Sequence, residues 1–210
     1  LALLAAGLVA ILQVRLFAAS LAFREGRAAA GAKTPAGWAA ALEGYDAARQ
    51  WLAPIGPDWR VEFYRARAFD ALGRKTEALA AYGEDMVRNP SNAVTHYNRG
   101  TVLQAMGRLD EAAADYHDAL RVNPWDVSSA VNLAVTRGLQ GRRGEARRVL
   151  EAALVRSPSS AEAHLNLGVL AWYDGDLAAA RASLERGLQI DPGNAQGRAI
   201  LDRVRRGLRP

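Results

Sequence analysis

Asn98, Asn132 and Asn166 recur at 34-residue intervals and are the side chains of this sequence with the clearest chemistry. An asparagine amide carries both donors and an acceptor, so it can pair with the N–H and C=O of an extended peptide backbone. Three in a row would hold a peptide without reading its sequence. A second reading stands beside this one, in which asparagine at a repeated place hydrogen-bonds locally between helices. The histidines offer less. His96 and His164 stand two repeats apart, so a shared metal would have to bridge the repeat between them; replacement of an aromatic in helix packing accounts for both. The sequence has no cysteine, which excludes a disulfide framework, a thiolate zinc site and a cysteine nucleophile. It also lacks a Walker-type loop, a nucleophile-elbow serine and an HExxH motif. The carboxylate pairs Asp110/Glu111 and Glu84/Asp85 read as helix-start or surface charges. Neither catalysis nor a bound cofactor or metal is expected.

The elements that must position these residues follow from the same interval. Pro90, Pro124, Pro158 and Pro192 are 34 residues apart, as are Gly73, Gly107, Gly141 and Gly175, and Ala78, Ala112, Ala146 and Ala180. A period of this length is the mark of a helical repeat array. Glycine ends a helix in the left-handed conformation without a Cβ penalty, so the glycine column predicts the turn inside each repeat. The residue before a proline is pushed out of helical geometry, so the proline column predicts the turn between repeats. Ser91, Asp126, Ser160 and Asn194 follow as candidate N-caps. Ala66, Gly100, Ala134 and Gly168 are small enough for two helices to approach closely, and Tyr82, Tyr116, Leu150 and Leu184 supply the larger packing residue.

These columns resemble the tetratricopeptide (TPR) repeat family, most plainly in Tyr97 to Pro124, YNRGTVLQAMGRLDEAAADYHDALRVNP. The resemblance covers about two thirds of the chain. It implies an all-α TPR α-solenoid, a right-handed superhelix of helix–turn–helix repeats at 59–92, 93–126, 127–160 and 161–194. Asp85 departs from the family pattern, which usually has a small residue there. The family's architecture implies that the asparagine column faces a concave groove. Its neighbours on that face are Val94, Tyr97 and Thr101, then Ser128, Val131 and Val135, then Glu162, Leu165, Val169, Trp172 and Tyr173. A protein or extended peptide is the partner that such a groove implies, held by apolar anchors. Lysines that would grip a terminal carboxylate are missing from these places, which disfavours a chaperone-tail adaptor.

Beyond the repeats, 195–210 reads as a capping helix with Ala195, Ala199, Ile200 and Val204 on its apolar side and arginines on the other. Ahead of them, 24–58 reads as a helical linker or degenerate repeat. Trp38, Ala41, Leu42, Tyr45, Ala48 and Leu52 stripe one helix there, and Gly31 to Gly37 reads as a breaker. Residues 1–23 are almost wholly apolar and predict a transmembrane helix, continuing upstream in a longer chain so that Arg15 reaches the headgroups; a signal peptide and a buried helix of the repeat array are the alternatives. A bacterial inner-membrane location follows, with the side of the repeats open. A span followed by an Arg-rich helix and repeats is also similar to the C-terminal region of bacterial O-antigen ligase or polymerase-type membrane proteins. That resemblance implies an alternative, a part of a multi-span glycan enzyme whose catalytic portion lies upstream, with cell-envelope assembly proteins as partners. The net charge of +5 comes from 27 basic and 22 acidic residues, a mixed surface that does not call for nucleic acid.

Overall fold

The computed structural model describes residues 2–56 and 58–210, with side chains described from residue 6 onward. Among the described residues there are eleven helices and no strand. They divide into two compact units, Leu1–Val102 and Leu103–Pro210, with the boundary inside α5. The first helices of successive pairs are α3 (Trp59–Ala71), α5 (Ala93–Ala105), α7 (Val127–Leu139) and α9 (Ala161–Tyr173). Their partners are α4 (Lys75–Arg88), α6 (Leu109–Val122), α8 (Arg143–Arg156) and α10 (Leu177–Ile190). Both series start every 34 residues, and the architecture is the tetratricopeptide-type solenoid.

The local causes lie where the sequence puts them, with one slip. Gly73, Gly107, Gly141 and Gly175 all hold left-handed φ, between 73° and 82°, and close the turn inside each pair. Asp126, Ser160 and Asn194 cap α7, α9 and α11 by accepting the amides of Ser129, Ala163 and Gly197. Ser91 does not belong to this set. Asn92, in register with the other three, accepts the Val94 amide at 3.2 Å, and Asp58, another 34 residues earlier, caps α3. Tyr82, Tyr116, Leu150 and Leu184 are each at most 1% exposed, so the large-residue column fills the core.

In the first unit, α1 (Ala2–Ala30) and α2 (Pro35–Leu52) form a helical pair ahead of α3. No break falls at residue 23; α1 runs on to Ala30. The breaker is shorter than expected, because Thr34 accepts the Gly37 amide at 3.0 Å and Pro35 opens α2. On α2, Ala41, Leu42, Tyr45, Ala48 and Leu52 are buried as their spacing predicts. The two helices touch backbone to backbone: a Cβ on Gly44 would lie 2.8 Å from the Gly26 Cα. Ala19, Ala22 and Phe23 of α1 join this core. The preceding turns do not; Leu8, Val9, Ile11, Val14 and Phe17 are each more than half exposed. The stretch Ala6–Ala30 is long and apolar enough to cross a membrane.

Two carboxylates in the first unit sit where a repeat protein usually has apolar or small residues. Glu62, fully buried, accepts hydrogen bonds from Arg49 at 2.8 Å and Arg65 at 2.6 Å. Asp85 is not a surface charge: it is fully buried and accepts the Thr95 hydroxyl. Burial, the largest influence on it, pushes its carboxyl above the ordinary range.

In the second unit α11 (Ala195–Arg205) covers α9 and α10. Its buried stripe is Gly197, Leu201 and Val204 with Ile200 half-buried, while Ala195 and Ala199 are exposed. Leu201 and Val204 lie three apart and close over the end of the core, which turns the predicted face by part of a turn.

Candidate peptide groove in the second unit

The first helices of the last two pairs carry most of the predicted groove, and the structure sorts those residues into two groups. Val131, Leu165 and Trp172 are 2%, 8% and 4% exposed and are core residues, not groove anchors. Val131 packs with Ala134, Ala146 and Leu150. Leu165 wedges against glycines on two neighbouring helices; a Cβ on Gly187 would lie 2.7 Å from its Cγ and one on Gly197 2.8 Å from its Cδ2. Trp172 is held under the C-terminal segment, its indole N–H donating to the Leu208 carbonyl at 2.7 Å with the Arg203 guanidinium 4.7 Å from the ring centroid.

Val135, Val169 and Asn166 remain accessible, and they come together. A cleft of about 380 Å³ between α7, α8 and α9 is lined by Val135, Leu139, Asn166, Val169, Leu170 and Tyr173, with Arg143 at its edge. A smaller cleft of about 190 Å³ on the other side of α9 is polar, lined by Glu162, Asn166, Asn194 and Gln196 beside Leu165, Val169 and Ile200. Asn166 and Val169 belong to both, so α9 presents them on a ridge between an apolar hollow and a polar one. Tyr173 is 52% exposed, and the Arg143 guanidinium stands 5.8 Å from its ring centroid. Arg143 and Arg147 reach Asp174 at 3.8 and 3.0 Å, which fixes the turn after Tyr173 against α8.

The asparagines are only partly assembled. Asn166 donates from Nδ2 to the Glu162 carbonyl at 2.9 Å, a bond within α9 rather than between helices, which uses one of its two amide hydrogens. Asn132 is half-buried on α7 and lines neither cleft. Asn98 is half-buried on α5 in the first unit, as is Tyr97, with Thr101 exposed beside them. Val94, Ser128 and Glu162 are exposed.

Leu139, Leu170 and Arg143 were not foreseen as lining residues. A signal for Leu139 exists: the last residue of each first helix reads Ala71, Ala105, Leu139, Tyr173, so large apolar groups enter that column where the hollow lies. His96 and His164 have a local role. Each donates a ring N–H to a proline carbonyl six residues back, Pro90 and Pro158, both at 3.0 Å, and Arg198 does the same for Pro192.

Two tetratricopeptide repeat profiles match this chain, over residues 93–126 and 137–195. These segments are tetratricopeptide repeats. Solved structures with the same fold include a thermophilic tetratricopeptide repeat protein of Thermus thermophilus, 21% identical, covering 89% of this chain and 98% of that one at a TM-score of 0.62. Another, from Parabacteroides merdae, is 17% identical and covers 90% and 74% at 0.79. YrrB, described as a tetratricopeptide repeat protein with an unusual peptide-binding site, is 19% identical and covers 79% and 84% at 0.66. No curated protein matches the chain. None of these structures is described as a glycan-assembly enzyme, so that resemblance gains no support from them.

Proposed function

We propose that this protein is a membrane-tethered tetratricopeptide scaffold that captures an extended segment of a partner protein across α9. The observation that carries this reading is the ridge of Asn166 and Val169 between the apolar and the polar cleft. An extended chain crossing that ridge places alternate side chains against Val135, Leu139 and Tyr173, while the Asn166 amide meets its backbone. Ligand sites of this kind combine apolar walls with a few placed polar groups. YrrB's described peptide-binding site is the one precedent among the relatives above.

The tether is α1. Its first described turns expose a continuous apolar surface that water disfavours by roughly 25 cal/mol per Å², and a bilayer removes that penalty. Arg24, Arg27 and Lys33 follow the apolar stretch, where basic residues tend to stay on the cytoplasmic side.

The test is a photo-crosslinker at Tyr173 of the full chain in native membranes, with Asn166→Ala as comparison. A specific cross-linked protein that disappears with Asn166→Ala supports capture in the groove. Recovery of lipid-linked glycan alone, indifferent to Asn166, overturns it.

A further inference from the structure

A second pocket, in the first unit, has an unlike chemistry. It is a cavity of about 180 Å³ where α1, α2 and α3 meet, and its lining includes Arg27, Lys33 and Arg67 with the rings of Trp38, Tyr45 and Tyr64. Three cations and no carboxylate line it. The Arg27 and Arg67 guanidiniums share one ring, at 5.1 and 5.8 Å from the Tyr64 centroid. Both guanidiniums are exposed, so water screens part of their repulsion, and an anion placed between them would remove the rest. Elsewhere in the same unit Arg49, Arg60, Arg65 and Arg74 each hold a carboxylate.

Tyr45 supplies the second observation. It is fully buried and its hydroxyl has no hydrogen-bond partner, although a buried hydroxyl ordinarily finds one. Burial raises its pKa, against the pull of Arg27 and Arg67, so it stays a donor at neutral pH. A third oddity is Lys33, a non-glycine residue at φ 52° in the turn that closes the pocket. Side chains other than glycine rarely take that conformation, and functional sites are where they do.

We infer that this pocket binds the phosphate of an anionic phospholipid headgroup, with Arg27, Lys33 and Arg67 around its oxygens and the Tyr45 hydroxyl donating to it. Phosphate is the anion that suits paired guanidiniums and a phenol donor. The lipid source follows from position: Leu21 is the last exposed large apolar residue of α1, and Arg27 lies six residues, about 9 Å of helix, beyond it, on the headgroup side if α1 spans the bilayer. The inference therefore rests on the tethered reading above.

The experiment uses the full chain in two assays. Flotation on vesicles of phosphatidylcholine alone, or with phosphatidylglycerol added, reports tether and preference together. Native mass spectrometry in detergent, titrated with phosphatidylglycerol or with inorganic phosphate, reports the pocket without a bilayer. The expected result is a single retained phosphatidylglycerol, weakened roughly tenfold or more by Arg27→Ala/Arg67→Ala. Tyr45→Phe should weaken it several-fold while leaving the fold intact. Lys33→Gly keeps the left-handed turn, removes the side chain with its charge and weakens binding with helicity unchanged. Arg24→Ala, exposed on the same helix outside the pocket, should leave binding unchanged. Failure to float on any vesicle sinks the tether alone, since specific retention in detergent would still support the pocket. Equal retention of phosphatidylcholine overturns the inference, as does an equal loss with Arg24→Ala. So does inorganic phosphate that binds as tightly and displaces the lipid, which would make this a soluble-ion site.

Discussion

The two units fill their interiors differently. In the first, Phe23, Tyr45 and Tyr64 form a cluster with centroids 5.3–5.8 Å apart, and two carboxylates are buried with their partners. In the last two repeats of the second, alanine and leucine fill the space, Ala146 and Leu150 in one pair and Ala180 and Leu184 in the next, all fully buried, although Asp115 is buried in the pair before them. A regular small-and-large alternation repeats because each pair meets a copy of itself. Where the neighbour is instead the α1–α2 pair, α3 faces something unlike a repeat, and Glu62 with Arg49 and Arg65 makes the junction. The difference teaches that buried ion pairs and stacked aromatics gather where α3 meets an unlike pair, while the last two repeats rely more on small-and-large packing.

The largest expected effect that could break this comparison is Glu62→Ala. The variant loses two charge-assisted hydrogen bonds, at about 1.5–3 kcal/mol each, to arginines that keep Glu84 and Asp46, so a loss of about 3–5 kcal/mol is expected in urea unfolding. A loss under about 1 kcal/mol would mean that Arg49 and Arg65 simply return to water. Next comes Leu184→Ala, at about 3 kcal/mol. Its Cγ lies 2.6 Å from where a Cβ on Gly168 would stand. Hydrogen exchange should show faster opening in α9 to α11 with α1 to α4 unchanged, because solenoid contacts are local. Gly44→Ala should cost about 1–3 kcal/mol by forcing α1 away from α2; helical circular dichroism during thermal melting measures it.

The smallest effect has a pH signature. Burial holds the Asp85 pKa above its unfolded value, so its contribution is fully present below the ordinary carboxylate range and is lost as pH rises through the folded pKa. Asp85→Asn should therefore stabilise the protein at neutral pH and lose that advantage in acid. Equal stability of both at all pH values would show that Thr95 fully compensates the charge.

The same contrast explains what could be read in advance. Helix pairs, turns and the large-residue column were legible because glycine and proline act locally and recur in register. The cap at Asn92 slipped by one because Ser91 has the right chemistry at the wrong offset. Buried Glu62 was invisible because its meaning depends on Arg49, thirteen residues away on another helix. Gly26 and Gly44 looked like ordinary glycines until the helices they join were side by side. Of the residues read onto the groove face, Val135, Asn166, Val169 and Tyr173 line the cleft, whereas Val131, Leu165 and Trp172 are buried. One residue turns a helix by about 100°, and it is Tyr173 that faces the cleft.

The central claim is backbone capture by Asn166, and a peptide recovered through the Tyr173 cross-link tests it most directly. Its affinity for the full chain is compared with that of a copy N-methylated along the segment that crosses α9, in the wild type and in Asn166→Ala. The account predicts that N-methylation costs roughly tenfold in the wild type, as loss of a buried hydrogen bond does, and almost nothing in the variant. An equal loss in both proteins, or none in either, would contradict it.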